Sequence, residues 1–163
     1  MADKVTNVVI AGLGGQGVLT ASDILAEAAF RAGLDVKKAE VHGMSQRGGS
    51  VSTDVRFGPR VLSPMVPDGA ADFLVVLAAD QVEPNRHVLS ADGVLITPDA
   101  VDPSKLANAR GINVALLGVL ARHLDIDVRH WHDALRDRLA PRLHEANLQA
   151  FELGRSAPTA TKG

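Results

Sequence analysis

The sequence predicts one α/β domain of three layers, an α/β/α arrangement in which helices cover both faces of a mostly parallel sheet. Three observations predict this fold. The β-branched run at residues 5–11 ends at a glycine-rich turn, and a helical pattern follows at once. The fully apolar run at residues 73–78 is typical of a strand buried on both faces of a sheet. From Asn113 onward apolar residues recur at helical spacing, which predicts a helical C-terminus.

Composition limits the class of protein. The 163 residues are 46% apolar and 22% charged, which is ordinary for one globular domain. A formal net charge of -2 gives no reason to expect nucleic acid or a membrane surface as a partner. The longest aliphatic stretch, residues 73–79, is too short to span a bilayer, and no apolar signal region follows Met1. We therefore expect a cytoplasmic protein.

The chain contains no cysteine, and this absence excludes several kinds of site. A disulfide, a thiolate zinc site, a catalytic cysteine and a cysteine-ligated iron–sulfur cluster all need a thiol that this chain does not supply. The six histidines show no metal-ligand spacing, and His130 and His132 would point to diverging sides of a helix. We therefore predict no metal site.

A glycine loop follows the first predicted strand and comprises Gly12, Gly14, Gly15, Gln16 and Gly17. Three of its glycines match the G-x-G-x-x-G fingerprint of dinucleotide-binding folds in the expected strand–turn–helix context, so the loop is Rossmann-like. Backbone N–H groups and a helix N-terminus in this arrangement can face an anion. The same glycines also suit a tight turn that binds nothing and lets helix and sheet pack closely. The fingerprint alone leaves both interpretations open.

The next elements follow the glycine loop in order. A helix is predicted at residues 17–31, with Gly33 as its C-terminal cap, and a short strand at residues 36–41 comes next. Alternating apolar residues predict a strand at residues 51–57, with residues 61–66 as its hairpin partner.

Four elements are predicted after the buried strand at residues 73–78. They are a polar helix at residues 80–89, a strand at 93–97, and helices from 113 to about 123 and from about 128 to 153. Pro141 should kink or restart the last helix because it cannot continue the hydrogen-bond ladder. Residues 1–155 then form a single domain, and residues 156–163 form a flexible tail.

A second unusual stretch has no apolar period and is rich in polar residues and glycine. This polar loop comprises His42, Gly43, Met44, Ser45, Gln46, Arg47, Gly48 and Gly49. Its donor and acceptor groups suit recognition of a phosphate or carboxylate, with Arg47 as the fixed charge. An exposed connecting loop without a ligand is the alternative. Glu40 lies 23 residues after Gly17, where a Rossmann fold carries its ribose-binding acid.

Two ordered blocks, Gly12-Leu-Gly-Gly-Gln-Gly17 and Glu40-Val-His-Gly-Met-Ser-Gln-Arg-Gly-Gly-Ser50, resemble the gamma subunit or domain of the 2-oxoacid:acceptor (ferredoxin) oxidoreductases. Later blocks are similar to the same family: Ser63-Pro64, Asn113-Val-Ala-Leu-Leu-Gly118 and Asn147-Leu-Gln-Ala-Phe-Glu-Leu-Gly154. Within the family, the chain is most similar to the small beta subunit of indolepyruvate ferredoxin oxidoreductase. The resemblance covers nearly the whole chain, although the chain is somewhat shorter than the family form, especially between Leu77 and Val94.

The resemblance implies one subunit of a heteromeric enzyme that oxidatively decarboxylates a 2-oxo acid to the acyl-CoA. The implied substrate is aryl-substituted, such as indolepyruvate, arylpyruvate or phenylglyoxylate. Thiamine diphosphate, magnesium, iron–sulfur clusters and coenzyme A belong to such a complex, and electrons pass through partner subunits to ferredoxin or another acceptor. This chain has neither cysteine nor the Gly-Asp-Gly start of a thiamine diphosphate motif. It would hold no cofactor alone, and it would need the partners that carry thiamine diphosphate and the clusters.

By the same resemblance, the polar loop and the glycine loop shape the approach of substrate or coenzyme A to a site that a partner completes. Gly43, Arg47, Gly48 and Gly49 are the positions carried over from the family, and no catalytic residue is assigned. Two other hypotheses stay open. One is a stand-alone module that binds NAD(P) or another nucleotide, and the other is a scaffold subunit whose loops make only protein contacts.

Overall fold

The computed structural model describes residues 4–42 and 49–158, and of His42 only the backbone. In this part of the chain five strands form one sheet: β1 (Thr6–Leu13), β2 (Asp35–His42), β3 (Ser50–Gly58), β4 (Ala71–Val76) and β5 (Leu89–Ile96). The same residues contain five α-helices: α1 (Val18–Arg31), α2 (Val82–Asn85), α3 (Ile112–Ala121), α4 (Val128–Arg138) and α5 (His144–Arg155). The α/β class and the helical C-terminus are thus as predicted.

The sheet is mixed and has the spatial order β2-β3-β1-β4-β5. β1 pairs in parallel with β4, and β4 pairs in parallel with β5, whereas β3 runs antiparallel to both β1 and β2. Four of these five strands therefore point the same way, which agrees with the mostly parallel sheet that was predicted. β2 and β3 follow each other in the chain and pair as a hairpin, whose connection is the polar loop.

The two faces of the sheet are covered unequally. Along β1, Val8 and Ile10 face the larger core, whereas Val9 and Ala11 face a smaller one, as the two-residue period of a strand requires. α1, α3, α4 and α5 contribute to the larger core. On the opposite face, the smaller core is closed by α2 and by residues 66–70. Helices therefore cover both faces of the sheet, but on the smaller-core face the only α-helix among the described residues is the short α2.

Glycines begin and end α1, as the sequence predicts. Gly17 is the N-cap with φ 84°, and Gly33 follows the C-cap with φ 88°. The N–H of Gly33 donates to the carbonyl of Phe30. The N–H of Leu34 donates to the carbonyl of Ala29, which completes a Schellman C-cap. Because an L side chain is strained at either φ, glycine is the residue type that lets this helix start and stop here.

A proline divides the C-terminal helices, as predicted. α4 ends at Arg138, and a single 3₁₀ turn that begins at Pro141 leads into α5. Proline has no N–H and a fixed φ, so it suits the start of a helix and not its interior. Trp131 of α4 and Phe151 of α5 are fully buried, with ring centroids 5.5 Å apart. This aromatic contact joins the two helices.

α3 and α5 approach each other closely at two glycines. A Cβ added to Gly154 would come within 3.0 Å of the carbonyl oxygen of Ala115, and one added to Gly118 would come within 3.0 Å of the carbonyl oxygen of Phe151. Both obstacles are backbone atoms, which cannot turn aside as the end of a side chain can. The glycines that end the two C-terminal family blocks therefore have a packing role.

Residues 61–66 are not the strand that the sequence predicts. Both edges of β3 are already paired, with β1 and β2, so no edge is left for another hairpin partner. The segment contains a proline and is flanked by two others, which removes ladder donors. Carboxylates hold it instead. The N–H of Val61 donates to Asp35 Oδ2 at 2.7 Å, and the N–H of Val66 donates to Asp54 Oδ2 at 2.9 Å.

The polar helix predicted at residues 80–89 is broken into short turns. The 3₁₀ turns Ala79–Gln81 and Arg86–Val88 flank the single turn of α2. A continuous helix would place Pro84 in its interior, where proline has no N–H to donate and its ring clashes with the preceding turn. The strand predicted at residues 93–97 begins earlier, at Leu89.

The packed chain extends slightly beyond residue 155, the predicted end of the domain. Ala157 is buried in the larger core, and its carbonyl accepts a hydrogen bond of 2.5 Å from Nη1 of Arg122. Residues 159–163 of the predicted tail lie outside the described residues, so the tail stays a prediction. Across the described residues, no helix combines the length and the apolar character that a membrane span needs.

Replacing Asp54 by asparagine is expected to change how the stability of the domain depends on pH. Burial raises the pKa of Asp54 above 3.8, against the opposing effects of the Val66 N–H and of Arg56. The folded chain therefore keeps this proton at pH values where the unfolded chain has released it. The contribution of Asp54 to the free energy of unfolding is greatest below the unfolded pKa and is lost as the pH rises through the folded pKa.

Asp54→Asn has no titrating carboxyl, so its stability does not fall as the pH rises through the pKa of Asp54. The variant keeps a carbonyl oxygen for the Val66 N–H. Urea unfolding of both proteins from about pH 4 to about pH 7 measures the difference in their free energies of unfolding. The native protein should lose stability relative to the variant as the pH rises. A difference that stays constant, or that changes in the other direction, would contradict this account.

Candidate functional site

The candidate site lies at the edge of the sheet where β1 and β4 end side by side. β1 continues through the glycine loop into α1 on the larger-core face, whereas β4 continues into the α2 region on the opposite face. Parallel neighbours whose connections leave to opposite faces form a crevice at their carboxyl ends, which is the usual ligand position in open α/β sheets. The glycine loop therefore lies at the switch point of this sheet.

Hydrogen bonds tie the glycine loop to its surroundings. The N–H of Gly14 donates to the carbonyl of Gly49, where the chain returns from the polar loop, at 2.9 Å. The side chain of Gln16 accepts from the N–H of Leu13 at 2.7 Å and donates to the carbonyl of Leu77 at 3.4 Å. These bonds hold the glycine loop against the end of β4 and against the start of β3.

Packing accounts for the glycines at both ends of the fingerprint. At Gly12 an added Cβ would lie 2.9 Å from Oε1 of Gln16 and 3.1 Å from the Cβ of Leu77. At Gly17 it would come within 3.0 Å of Nδ2 of Asn113, which donates to the carbonyl of Gly17 at 3.2 Å. Close packing, the second interpretation of the fingerprint, therefore explains these two positions.

Gly15 differs, because it faces open space. Its φ is 89°, and a Cβ added there would meet nothing within 4 Å. Gly15 borders a cavity of about 280 Å³ and another of about 530 Å³. The larger of these two is lined by Gly15, Gln16, Gly17, Ala109, Arg110, Ile112 and Asn113. The loop is therefore packed at its ends and accessible in the middle.

The cavity of about 530 Å³ has the electrostatic character of an anion site. α1 and α3 both begin at it; among the described residues no side chain caps the N-terminus of α1, whereas in the first turn of α3 the N–H of Val114 donates to Oδ1 of Asn113. The N–H groups at the start of α1 give it a partial positive charge, and the exposed guanidinium of Arg110 adds a full one. Carboxylate or phosphate is the kind of group that this surface suits.

The structure brings the two ends of the polar loop to the same sheet edge. The backbone of His42 ends β2, Ser50 begins β3, and Gly49 bonds to the glycine loop. The remaining predicted site residues, Gly43, Met44, Ser45, Gln46, Arg47 and Gly48, lie outside the described residues. The structure therefore shows only the two ends of the polar loop close to the glycine-loop edge of the sheet.

Besides Ser50, which ends the second family block, three further side chains at this edge were not predicted as site residues. The hydroxyl of Ser50 donates to Oε1 of Gln81 at 2.8 Å, and this bond ties β3 to the turn after β4. Asn113 holds Gly17, and Arg110 lines the cavity. The only sequence signal was for Asn113, which opens a family block, because nothing local marks Gln81 or Arg110.

Comparison with known proteins decides the family. Residues 7–157 match the family model described as pyruvate ferredoxin/flavodoxin oxidoreductase. The chain belongs to this family. The indolepyruvate oxidoreductase subunits IorB of Pyrococcus horikoshii and Thermococcus kodakarensis are each 35% identical to it, over 93% of this chain and 95% of theirs. The resemblance inferred from the two loops is confirmed, and the chain is a subunit of a 2-oxoacid:ferredoxin oxidoreductase.

Solved structures of related enzymes have the same fold. The 2-oxoglutarate:ferredoxin oxidoreductase of Magnetococcus marinus matches with a TM-score of 0.83 and 21% identity over 99% of this chain. This chain spans only 32% of that longer one. The gamma subunit of a keto/oxoacid ferredoxin oxidoreductase from Geobacter sulfurreducens matches with a TM-score of 0.74 and 20% identity, over 93% of this chain and 94% of that one.

This member of the family is shorter than its relatives. The alignments to both IorB subunits extend over 193 positions, whereas the chain has 163 residues. The relatives therefore carry residues that this chain lacks, which agrees with the shortness noted from the sequence. In this structure only the short α2 region connects β4 to β5.

A metal site is not found in the described part of this family member. No group of three or more histidine, aspartate or glutamate side chains that could hold a metal ion occurs within residues 4–42 and 49–158. Among the histidines described there, His123 packs on Phe73 at the opposite edge of the sheet, with ring centroids 5.5 Å apart. Burial, aided by the charge of Arg122, lowers the pKa of His123 and favours its neutral form.

The isolated chain is expected not to bind NAD or NADP tightly. Glu40, the predicted ribose-binding acid, lies on β2, and β3 separates β2 from β1. Two strand spacings, about 10 Å, thus lie between it and the strand that carries the glycine loop. Glu40 also pairs with Lys38 at 3.5 Å, and Gln16 fills the crevice between β1 and β4.

Isothermal titration of the purified chain with NAD and NADP checks this expectation. In a Rossmann site the acid lies on the strand next to the one that carries the glycine loop, and here β3 lies between those two strands. Binding at millimolar strength or weaker agrees with the account. Micromolar binding would contradict it and would favour the stand-alone nucleotide-binding module.

Proposed function

We propose that this chain is the cluster-free subunit of a heteromeric enzyme that oxidatively decarboxylates an aryl-substituted 2-oxo acid to the acyl-CoA. Candidate substrates are indolepyruvate, arylpyruvate and phenylglyoxylate, and ferredoxin or another carrier accepts the electrons through partner subunits in the cytoplasm. The family match over residues 7–157 carries this proposal. The preference for an aryl substrate is supported by the names of the IorB relatives.

The residues of this chain do not fit the metal cofactors of such a complex. The chain has no cysteine to ligate an iron–sulfur cluster. In the part of the chain that the structure describes, no group of three or more carboxylate and histidine side chains is placed to hold a metal ion. Thiamine diphosphate, when bound by a partner, supplies the carbanion chemistry of decarboxylation. The division of labour therefore assigns the redox and thiamine chemistry to partner subunits.

Coenzyme A and the 2-oxo acid are both anionic, and the glycine-loop edge suits such groups. Arg110 and the start of α1 would attract a phosphate or carboxylate beside Gly15. Arg47 of the polar loop would add a guanidinium that can bind such a group with two hydrogen bonds. In this proposal the two loops orient substrate or coenzyme A, and a partner subunit holds the reacting atoms.

Reconstitution of the complex from separately purified subunits tests the proposal. Reduction of a viologen dye, dependent on both coenzyme A and a 2-oxo acid, is measured with and without this chain. Indolepyruvate, phenylglyoxylate, 2-oxoglutarate and pyruvate serve as substrates. The proposal expects turnover only in the assembled complex, with kcat/KM highest for an aryl acid.

Each possible failure has its own meaning. Oxidation of a 2-oxo acid by this chain alone would contradict the division of labour. Highest kcat/KM with pyruvate or 2-oxoglutarate would contradict the aryl substrate and leave the subunit assignment in place. Full activity of the partners without this chain would contradict a role for its loops in turnover.

A further inference from the structure

Gln16 connects the ends of two strands through one side chain. Its Oε1 accepts from the N–H of Leu13 at the end of β1, and its Nε2 donates to the carbonyl of Leu77 just beyond β4. The backbone N–H of Gln16 also donates to the carbonyl of Leu13 at 3.1 Å, which closes the turn. An amide is suited to this position because it offers one acceptor and one donor on the same carbon.

The residues next to Gln16 leave space for its side chain and hold the two strand ends that it joins. Gly12 leaves the space that Oε1 occupies, since a Cβ there would lie 2.9 Å from that atom. The N–H of Leu77 donates to the carbonyl of Ala11 at 2.8 Å, so the two strand ends are already in register where the amide spans them. The crevice in which many α/β proteins bind a ligand is thus filled by a residue of the chain itself.

The hydrogen bonds of Gln16 also affect a hydrogen bond made by an earlier residue of the glycine loop. Gly14, between Leu13 and Gln16, donates its N–H to the carbonyl of Gly49. The position of Gly49 therefore depends on the path of residues 13–16, which the Gln16 side chain fixes at two points. The bond from Ser50 to Gln81 anchors the neighbouring residue to the turn after β4 in the same way.

We infer that Gln16 is a positioning residue, which locks the glycine loop across the β1–β4 crevice and thereby sets the position of Gly49, the residue that Gly14 binds. The inference rests on the proposed function for its effect on turnover. Gln16 itself makes no contact with reacting atoms in this account. It acts through the hydrogen bond from Gly14 to Gly49, and its loss displaces the surface that orients an anionic substrate.

The principal test compares Gln16→Ala, Gln16→Glu and Gln149→Ala in the assembled complex. Gln16→Ala loses both side-chain bonds. Gln16→Glu keeps an acceptor for Leu13 but turns a carboxylate oxygen toward the carbonyl of Leu77, which it repels. Gln149→Ala is the same truncation at an exposed position on α5 and serves as the matched control.

We expect both Gln16 variants to raise the KM of the 2-oxo acid or of coenzyme A about tenfold, because small displacements of orienting groups have large kinetic effects. Gln149→Ala should stay within about twofold of the native complex. Melting temperatures identify any loss that comes from unfolding, and kinetics are measured well below them. KM values unchanged for both substrates in folded Gln16 variants would overturn the inference.

A double-mutant cycle with Gly12→Ala tests the same lock, because Gly12 leaves the space that the Gln16 side chain occupies. The new methyl group should displace Oε1 of Gln16 and raise the same KM as Gln16→Ala does. In the Gln16→Ala background, Gly12→Ala should raise KM by a smaller factor than in the native chain, because the nearest obstacle is absent and only Leu77 Cβ and Val18 Cγ2, each at 3.1 Å, remain. Fully multiplicative effects would show that the two residues act independently, and would overturn the inference.

Amide hydrogen exchange on the isolated chain separates this inference from the proposed function. Gln16→Ala should accelerate exchange at Leu13 and Gly14 at least tenfold, while the amides of α5 keep their native rates. Native exchange rates at Leu13 and Gly14 would overturn the lock whatever the enzyme does. If the native complex oxidised no 2-oxo acid, the proposed function would fail while faster exchange still supported the lock.

Discussion

Gly154→Ala is expected to cost the domain about 3 kcal/mol or more in free energy of unfolding, a large part of the about 5–15 kcal/mol that stabilises an ordinary domain. The added methyl group would come within 3.0 Å of the Ala115 carbonyl oxygen and lie 2.9 Å from both Val119 N and the Ala115 carbonyl carbon. These are backbone atoms of α3, so α3 and α5 must separate to admit it. Separation would also disturb Trp131 and Phe151, which are fully buried.

Gly111→Ala is the matched control. Gly111 precedes α3 with φ −76°, and a Cβ there would come no closer than 3.5 Å to another side chain, that of Ala150. The control should therefore change stability by less than about 1 kcal/mol. Urea unfolding of the isolated chain measures both variants. Equal effects of Gly154→Ala and Gly111→Ala would contradict the close contact of α3 and α5.

Arg47→Ala is expected to lower kcat/KM of the assembled complex about ten- to hundredfold, which is the value of hydrogen bonds to a charged partner. In the proposed function the guanidinium binds the carboxylate or phosphate of an incoming substrate, and alanine leaves that anion without its donor. Arg47→Lys should recover part of the loss, since it restores the charge without the planar fork. Steady-state kinetics of the complex measure the effect.

Assembly of the complex separates this role from a scaffold role. Size-exclusion chromatography should show that Arg47→Ala assembles as the native chain does. Arg129→Ala, whose side chain is 75% exposed on α4, removes the same charge away from the loops and should leave kcat/KM within about twofold. Loss of assembly in Arg47→Ala, or unchanged turnover in an intact complex, would favour loops that only make protein contacts.

Local features of the fold could be predicted from the sequence. The strand, glycine loop and helix around residue 17 follow from hydrophobic period and from glycine's tolerance of positive φ, both of which are properties of neighbouring residues. The same reasoning predicted the caps of α1 and the interruption at Pro141. These predictions succeeded because no distant part of the chain needs to be known to make them.

Features that depend on strand order could not be predicted. The alternation of residues 51–57 indicates a strand but not that it inserts between β1 and β2, which removes Glu40 from the glycine loop. The prediction for residues 61–66 was wrong for the same reason, because both edges of β3 were already occupied. Pairing between distant strands is set by the whole sheet and leaves no local pattern.

The sequence predicted which loops form the candidate site but not the side-chain hydrogen bonds that hold them together. The glycine loop and the C-terminal end of the polar loop do meet, at Gly14 and Gly49. The bond of Gln16 to Leu77 spans 61 residues, and that of Asn113 to Gly17 spans 96, so neither has a sequence signal of its own. The glycine fingerprint left a ligand site and close packing open, and the contacts of Gln16 and Asn113 favour close packing at Gly12 and Gly17.

The most direct test of the central claim is a native pull-down of this chain from its own cells, with mass spectrometry of its partners and assays for thiamine diphosphate and iron. The account predicts partners rich in cysteine, with thiamine diphosphate and iron eluting together with the chain. A chain recovered alone, without iron or thiamine diphosphate, would contradict its assignment as a working subunit of a 2-oxoacid oxidoreductase complex.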